Sequence, residues 1–253
     1  MARTTTSWLQ DDRLPTAWIG VSPEQYEINC EEARASGANL EGTKVPVTNT
    51  TWVIGADEVG RGCLAGPVTV CAVLAPEELA GMNVKDSKKL SAGQRIAINA
   101  TLRAYTGIRF AIASRPSEDI DKYGIAECLR QCFAEVVQKM LDSSHGQKVR
   151  VQIDGETIKG FPLEAEYIIK GDSKVWAIGA ASIIAKVWRD AYMADEARGY
   201  PGYGWEENAG YGTAAHFEAI KRLGLCSMHR TTFCKGFRKK EEDLISGMFA
   251  ESP

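Results

Sequence analysis

Histidine is scarce in this chain, with three residues in 253, and no His or Cys cluster offers a zinc ion its usual ligands. The seven cysteines, at positions 30, 63, 71, 128, 132, 226 and 234, form no CxxC pair. That pattern suits reduced, mostly buried thiols in a reducing compartment rather than a disulfide frame. No run approaches the roughly 18 apolar residues of a membrane span, so no membrane partner is expected. The opening "MARTTTSWLQDDRLPTAW" has Asp11 and Asp12 where an organellar signal avoids acids, and no signal-peptide core follows. A cytoplasmic protein is the expectation. Neither sign of charge dominates: 30 Lys and Arg face 33 Asp and Glu, a net charge of −3. This excludes a globally basic nucleic-acid binder, although a local basic face is enough for phosphate contact. Internal repeats and low-complexity tracts are also missing.

What is present is a mixed α/β pattern beginning near residue 51. Residues 1–50 differ from the rest and read as an N-terminal extension, with a short helix capped by Ser22 and ended near Gly37. Residues 51–253 read as one domain. "TWVIGA" and "VTVCAVL" are strands, and "SAGQRIAINATLRAY" is a helix opened by a Ser91/Gln94 capping box. "GIRFAIAS" alternates as a half-buried strand does. A single long helix is expected through "PSEDIDKYGIAECLRQCFAEVVQKML", with its apolar stripe on Ile125, Cys128, Leu129, Cys132, Phe133, Val136 and Met140. "VRVQI" and "EAEYII" are further strands, and "SKVWAIGAASIIAKVWRDAYMADEA" is a largely buried helix. "GYPGYGWEENAGYGT" reads as a loop, "TAAHFEAIKRLG" as a helix ended by Gly224, and "EEDLISGMFA" as a short amphipathic helix. The fold class is α/β, a mixed sheet flanked by helices.

Four acids stand out by position. Asp57 and Glu58 follow the first strand, Asp154 ends "VRVQI", and Asp172 lies in "KGDS" between a strand and a helix. Such junctions are where α/β folds place sites. Four converging carboxylates would repel one another and call for cations. Oxygen-only ligands suit two Mg²⁺ or Mn²⁺ ions, which support in-line displacement at phosphorus. From the residues alone, a two-metal nuclease acting on DNA and a non-catalytic binding module both stay open.

The run "GADEVGRGCLAGPV" closely resembles the opening signature of type 2 ribonuclease H, in particular bacterial ribonuclease HII. The similarity continues through "DSKKLS", "IDG", "KGDS", "AASIIAKVWRD", "YPGYGWEENAGYGT" and "MHRTTF", spanning about residues 53–234. The resemblance implies a ribonuclease H-like fold, a five-stranded mixed sheet flanked by helices with extra C-terminal helices. It also implies an endonuclease, acting as a monomer, that cuts the RNA strand of RNA/DNA hybrids. Single ribonucleotides in duplex DNA would be cut on their 5′ side, leaving 3′-hydroxyl and 5′-phosphate ends. Ribonucleotide removal and primer processing are the implied roles. The family's catalytic acids fall on Asp57, Glu58, Asp154 and Asp172, with Asp57 bridging both ions. Asp172 separates the chain from the similar ribonuclease HIII, which has glutamate there.

By the same resemblance, the turn Gly60, Arg61, Gly62 presents backbone groups to the ribose 2′-hydroxyl, the one group that marks a ribonucleotide. Tyr211 stacks on the following sugar, and Ser87 and Lys88 face phosphates, while Lys186 is a basic candidate for phosphate contact or for orienting the acids. Lys89, Arg189 and Arg230 are further candidates for phosphate contact or for orienting the acids. His229 is expected to hydrogen-bond structurally. Glu156 stands where the family often has asparagine.

Overall fold

The computed structural model describes residues 51–77, 79, 84, 90–105 and 108–237. The extension 1–50, the C-terminal amphipathic helix, and Ser87, Lys88 and Lys89 all lie outside the described residues. The elements are β1 (Trp52–Val59), β2 (Val68–Pro76), α1 (Ala92–Ala104), β3 (Arg109–Arg115), α2 (Ser117–Tyr123), α3 (Ile125–Asp142), β4 (Val149–Asp154) and β5 (Glu166–Ile168). A 3₁₀ turn (Gly171–Ser173), α4 (Trp176–Glu196), α5 (Trp205–Asn208) and α6 (Ala214–Leu223) follow. The five strands form one mixed sheet in the order β3-β2-β1-β4-β5. β1 runs antiparallel to β2 and parallel to β4, so β1 sits at the centre.

The pleat sorts β1 into two faces. Ile54 and Ala56 join Val70, Ala72, Val151 and Ile153 in a core closed by the apolar stripe of α3. Val53 joins Cys71 and Val73 in a second core closed by α4 and Leu102 of α1. β2 is buried along its whole length, as expected of a strand covered on both faces.

Three expectations are corrected. The single long helix is broken at Gly124, whose φ of +83° ends α2 and starts α3 in a new direction. The stripe read for α3 is nonetheless buried as anticipated. β1 does not stop before the acids but carries Asp57 and Glu58 within it. The glycine-rich stretch 199–213 is no mere loop. It contains α5, and its Tyr203 and fully buried Trp205 pack with Met193 of α4 and Ile220 of α6 into a third core.

That third core is held by a polar thread. Trp205 Nε1 donates to His216 Nε2 at 3.0 Å, and His216 Nδ1 lies 2.9 Å from the Tyr211 carbonyl. The Cys226 N–H donates to His229 Nδ1 at 3.0 Å. Each ring accepts one N–H, so both histidines are neutral, with Nδ1–H on His216 and Nε2–H on His229. Protonation would set donor against donor. Burial also pushes both below the usual imidazole range, His229 to about 4. Groups depressed in this way leave the unfolded chain binding more protons between pH 6.5 and about 4. Stability is therefore expected to be lost as pH falls through that window, with His229 still neutral at pH 5.5 by imidazole ¹⁵N NMR and His216 titrating below the usual imidazole range. Titration of both rings near 6.5 would contradict this network.

A candidate active site at the end of the central strands

The parallel register pairs Gly55 with Gln152 and Ala56 with Ile153. The next positions on the two strands are Asp57 and Asp154, so the two acids lie side by side. Ala56 and Ile153 point towards α3, and alternation turns Asp57 and Asp154 to the opposite, α4 face. Glu58, one residue on, leaves the sheet on the other side. Adjacent acids in a strand therefore leave it on opposite faces, although both reach the cleft at the strand end and Glu58 still raises the Asp57 carboxyl. The Glu58 N–H donates to Asp57 Oδ1 at 2.7 Å, adding a favourable partner.

A cleft of about 330 Å³ opens at these strand ends. Asp57, Glu58 and Asp154 line it together with Gly60, Arg61, Gly62, Lys186 and Tyr211. Ser182 and Arg95 line it too, and neither was singled out from the sequence. Serine is common on helices and arginine on surfaces, and only the packing of α4 and α1 brings these two to the cleft. Asp172 is buried in the 3₁₀ turn beside it. The turn touches Asp154 directly, because the Gly171 N–H donates to Asp154 Oδ1 at 2.5 Å. A Cβ on Gly171 would stand 3.2 Å from that oxygen and 2.7 Å from Ile178 Cδ1, so glycine is needed for the approach. Among the described residues, no three acids are gathered into a ready-made ligand cage. Glu156 is exposed and stands apart from the cleft lining.

Burial raises the Asp57 carboxyl to about 8, and the charges of Glu58 and Asp154 push the same way. A hydrogen bond from Ser182 opposes them. Glu58 is raised by burial and partly relieved by Arg61, whose Nη1 stands 3.6 Å from Glu58 Oε1. Crowded, half-desolvated carboxylates of this kind favour a hard cation, and the donor set is oxygen only, which fits Mg²⁺ or Mn²⁺.

The turn beside the acids is stapled from beneath. Arg189, fully buried, donates to the carbonyls of Pro67, Ala65 and Ala209 at 2.8, 3.0 and 2.8 Å. Arg230, also fully buried, donates to Gly66 and Arg61, each at 3.0 Å. These two arginines hold backbone and are corrected from candidate phosphate contacts to supports of the turn. Gly60 has a φ of +82°, and a Cβ there would lie 2.2 Å from Arg189 Nε. Its glycine is dictated by that guanidinium. Gly62 differs: nothing stands within 4 Å of where its Cβ would be, on the open side of the cleft.

Tyr211 is held over the same cleft. Its N–H donates to the Asn208 carbonyl at 2.9 Å. Lys186 Nζ sits 5.2 Å from the ring centroid while bridging to Asp190 Oδ1 at 2.8 Å. Burial pushes the phenol up to about 12.

A central strand ending in paired acids under a mixed five-stranded sheet, with a buried helix across it, defines a nuclease of the ribonuclease H-like fold. A family model described as Ribonuclease HII matches residues 54–236. The chain is 40% identical over 201 residues to the ribonuclease HII of Thermosynechococcus vestitus, covering 79% of this chain and 91% of that one. It is 38% identical over 239 residues to that of Limosilactobacillus fermentum, covering 88% and 90%. Among solved structures, the PCNA:RNase HII complex from Archaeoglobus fulgidus matches with a TM-score of 0.62 and 26% identity. That match covers 72% of this chain and 94% of that one. The chain belongs to the ribonuclease HII family and is an endoribonuclease acting on nucleic acid.

Replacing buried Asp57 by asparagine keeps its shape and removes the ionisation. A carboxyl raised from 3.8 to about 8 costs the fold stability progressively as pH rises through that interval. Asp57→Asn is therefore expected to melt higher than wild type in EDTA at pH 8, and the gain should shrink towards pH 4. A pH-independent difference in thermal melts would contradict the burial argument.

Proposed function

We propose that the enzyme cuts RNA hybridised to DNA, and cuts on the 5′ side of single ribonucleotides embedded in duplex DNA. The observation that carries this is one cleft holding three elements: side-by-side Asp57 and Asp154 with Glu58, the open Gly62 side of a stapled turn, and Tyr211. Asp57, Glu58, Asp154 and Asp172 would hold two divalent ions, Mg²⁺ or Mn²⁺. When bound, such ions supply the acidified water and the charge stabilisation of in-line displacement at phosphorus, giving 3′-hydroxyl and 5′-phosphate ends.

The chain's own residues do the selecting. Arg61 and Gly62 offer backbone groups at a surface no side chain covers, so a 2′-hydroxyl can approach main chain closely. Arg230 holds the Arg61 carbonyl, and with Arg189 it holds the backbone of residues 65–67 that follows, which makes the readout rigid. Tyr211 presents a ring face on which the next sugar stacks, and a deoxyribose there packs without a hydroxyl to displace. Lys186, beside that ring, meets a backbone phosphate. Ser87 and Lys88 complete the phosphate contacts. Repair of misincorporated ribonucleotides and primer processing, by a cytoplasmic monomer, is the corresponding role.

The test is a labelled DNA duplex with one ribonucleotide, incubated with Mg²⁺, Mn²⁺ or EDTA beside an all-DNA control. The expected outcome is a cut 5′ of the ribonucleotide that EDTA abolishes, and no cut in the control. Asp57→Asn should reduce cleavage to background while duplex binding persists. Cleavage of the all-DNA duplex would favour a nuclease without sugar readout. Binding without turnover under every metal would favour a binding module.

A further inference from the structure

We infer that Arg95 contacts a backbone phosphate of the bound nucleic acid, flanking the one that is cut. The inference rests on the ribonuclease reading of the cleft and adds to it a residue from a different element. Arg95 stands in the first turn of α1, where its N–H donates to the Ser91 carbonyl at 3.0 Å, next to the Ser91/Gln94 capping box that fixes the helix start. Its Nη1 donates to the Leu90 carbonyl at 2.5 Å, and its side chain reaches the cleft lined by Asp57, Glu58 and Asp154.

Three cations line that cleft, and two have acidic partners. Arg61 stands beside Glu58, and Lys186 bridges to Asp190. Arg95 has no ion-pair partner among the described residues. A guanidinium has five N–H donors in a planar fork, and the Leu90 carbonyl takes one of them. The donors left over fit phosphate oxygens. The need for such a cation is electrostatic. Three carboxylates line the cleft, and a polyanion entering it meets repulsion unless positive charge is placed ahead of it. Anchoring by a backbone carbonyl in a capped turn holds the guanidinium in place before the substrate arrives, which lowers the ordering cost on binding. The bland alternative is that Arg95 only caps the Leu90 carbonyl.

Arg95→Gln separates the two roles, because glutamine can still donate to that carbonyl but has no charge. The measurements are steady-state cleavage of the single-ribonucleotide duplex and its binding across a salt series, with thermal melts to verify folding. Loss of one phosphate contact should raise KM on the order of tenfold, with the larger part of the loss in KM rather than kcat. The slope of log K against log salt should become shallower by ~0.9. Arg95→Lys should restore most of both. Unchanged KM and salt slope in Arg95→Gln, or a loss confined to kcat, would overturn the inference. Wild type run alongside must cut the duplex, and its failure would count against the ribonuclease reading, not against Arg95.

Discussion

The arrangement depends on how closely one helix lies on one strand. A Cβ on Gly55 would stand 2.3 Å from the backbone nitrogen of Ile178 in α4 and 2.4 Å from the Ala177 carbonyl carbon. Only glycine admits that contact. Two residues along β1 from Gly55 lies Asp57, and four or five along α4 from Ala177 and Ile178 lies Ser182. At roughly 3.3 Å per strand residue and 1.5 Å per helix residue, both advance about 7 Å. Serine and carboxyl therefore meet. A second glycine completes the contact: a Cβ on Gly179 would come within 2.9 Å of the Asp172 carbonyl oxygen. The same helix thus touches both acid-bearing segments, and its later turns deliver Lys186 to the cleft and Arg189 beneath the neighbouring turn.

From that contact the energetic logic of the site follows. Bringing Asp57 against a buried helix strips it of water and raises its carboxyl, and the neighbouring acids raise it further. The fold tolerates this at an end of the sheet where a cleft opens, and a cation bound there would relieve the destabilisation. The neighbouring turn is built in the opposite manner. Two buried guanidinium groups hold the carbonyls of Arg61, Ala65, Gly66 and Pro67, which fixes the backbone that follows the acids.

Much of the fold was legible because burial leaves periodic signals. The stripe of α3, the alternation of β3 and the Ser91/Gln94 box all have local causes. The positions of Asp57, Glu58 and Asp154 near strand ends were legible too, although β1 runs on through Asp57 and Glu58, and Asp172 sits beside the cleft rather than in its lining. The helix break at Gly124 was not, since a glycine inside an amphipathic pattern is tolerated as often as it terminates. Arg189 and Arg230 looked like phosphate ligands because their carbonyl partners lie at least 20 residues away in sequence. Ser182 and Arg95 were missed for the same reason: their importance comes from what tertiary packing sets opposite them. The close approach of Arg189 to Gly60 was likewise not legible, because it too comes from tertiary packing.

The central claim is that these acids hold divalent metal together. Anomalous diffraction from crystals soaked with Mn²⁺ tests it most directly. The account predicts peaks in the cleft with carboxylate oxygens of Asp57 and at least two of Glu58, Asp154 and Asp172 at roughly 2.0–2.2 Å, distances typical of such hard cations. Manganese bound only elsewhere, or bound in the cleft without Asp57, would contradict it.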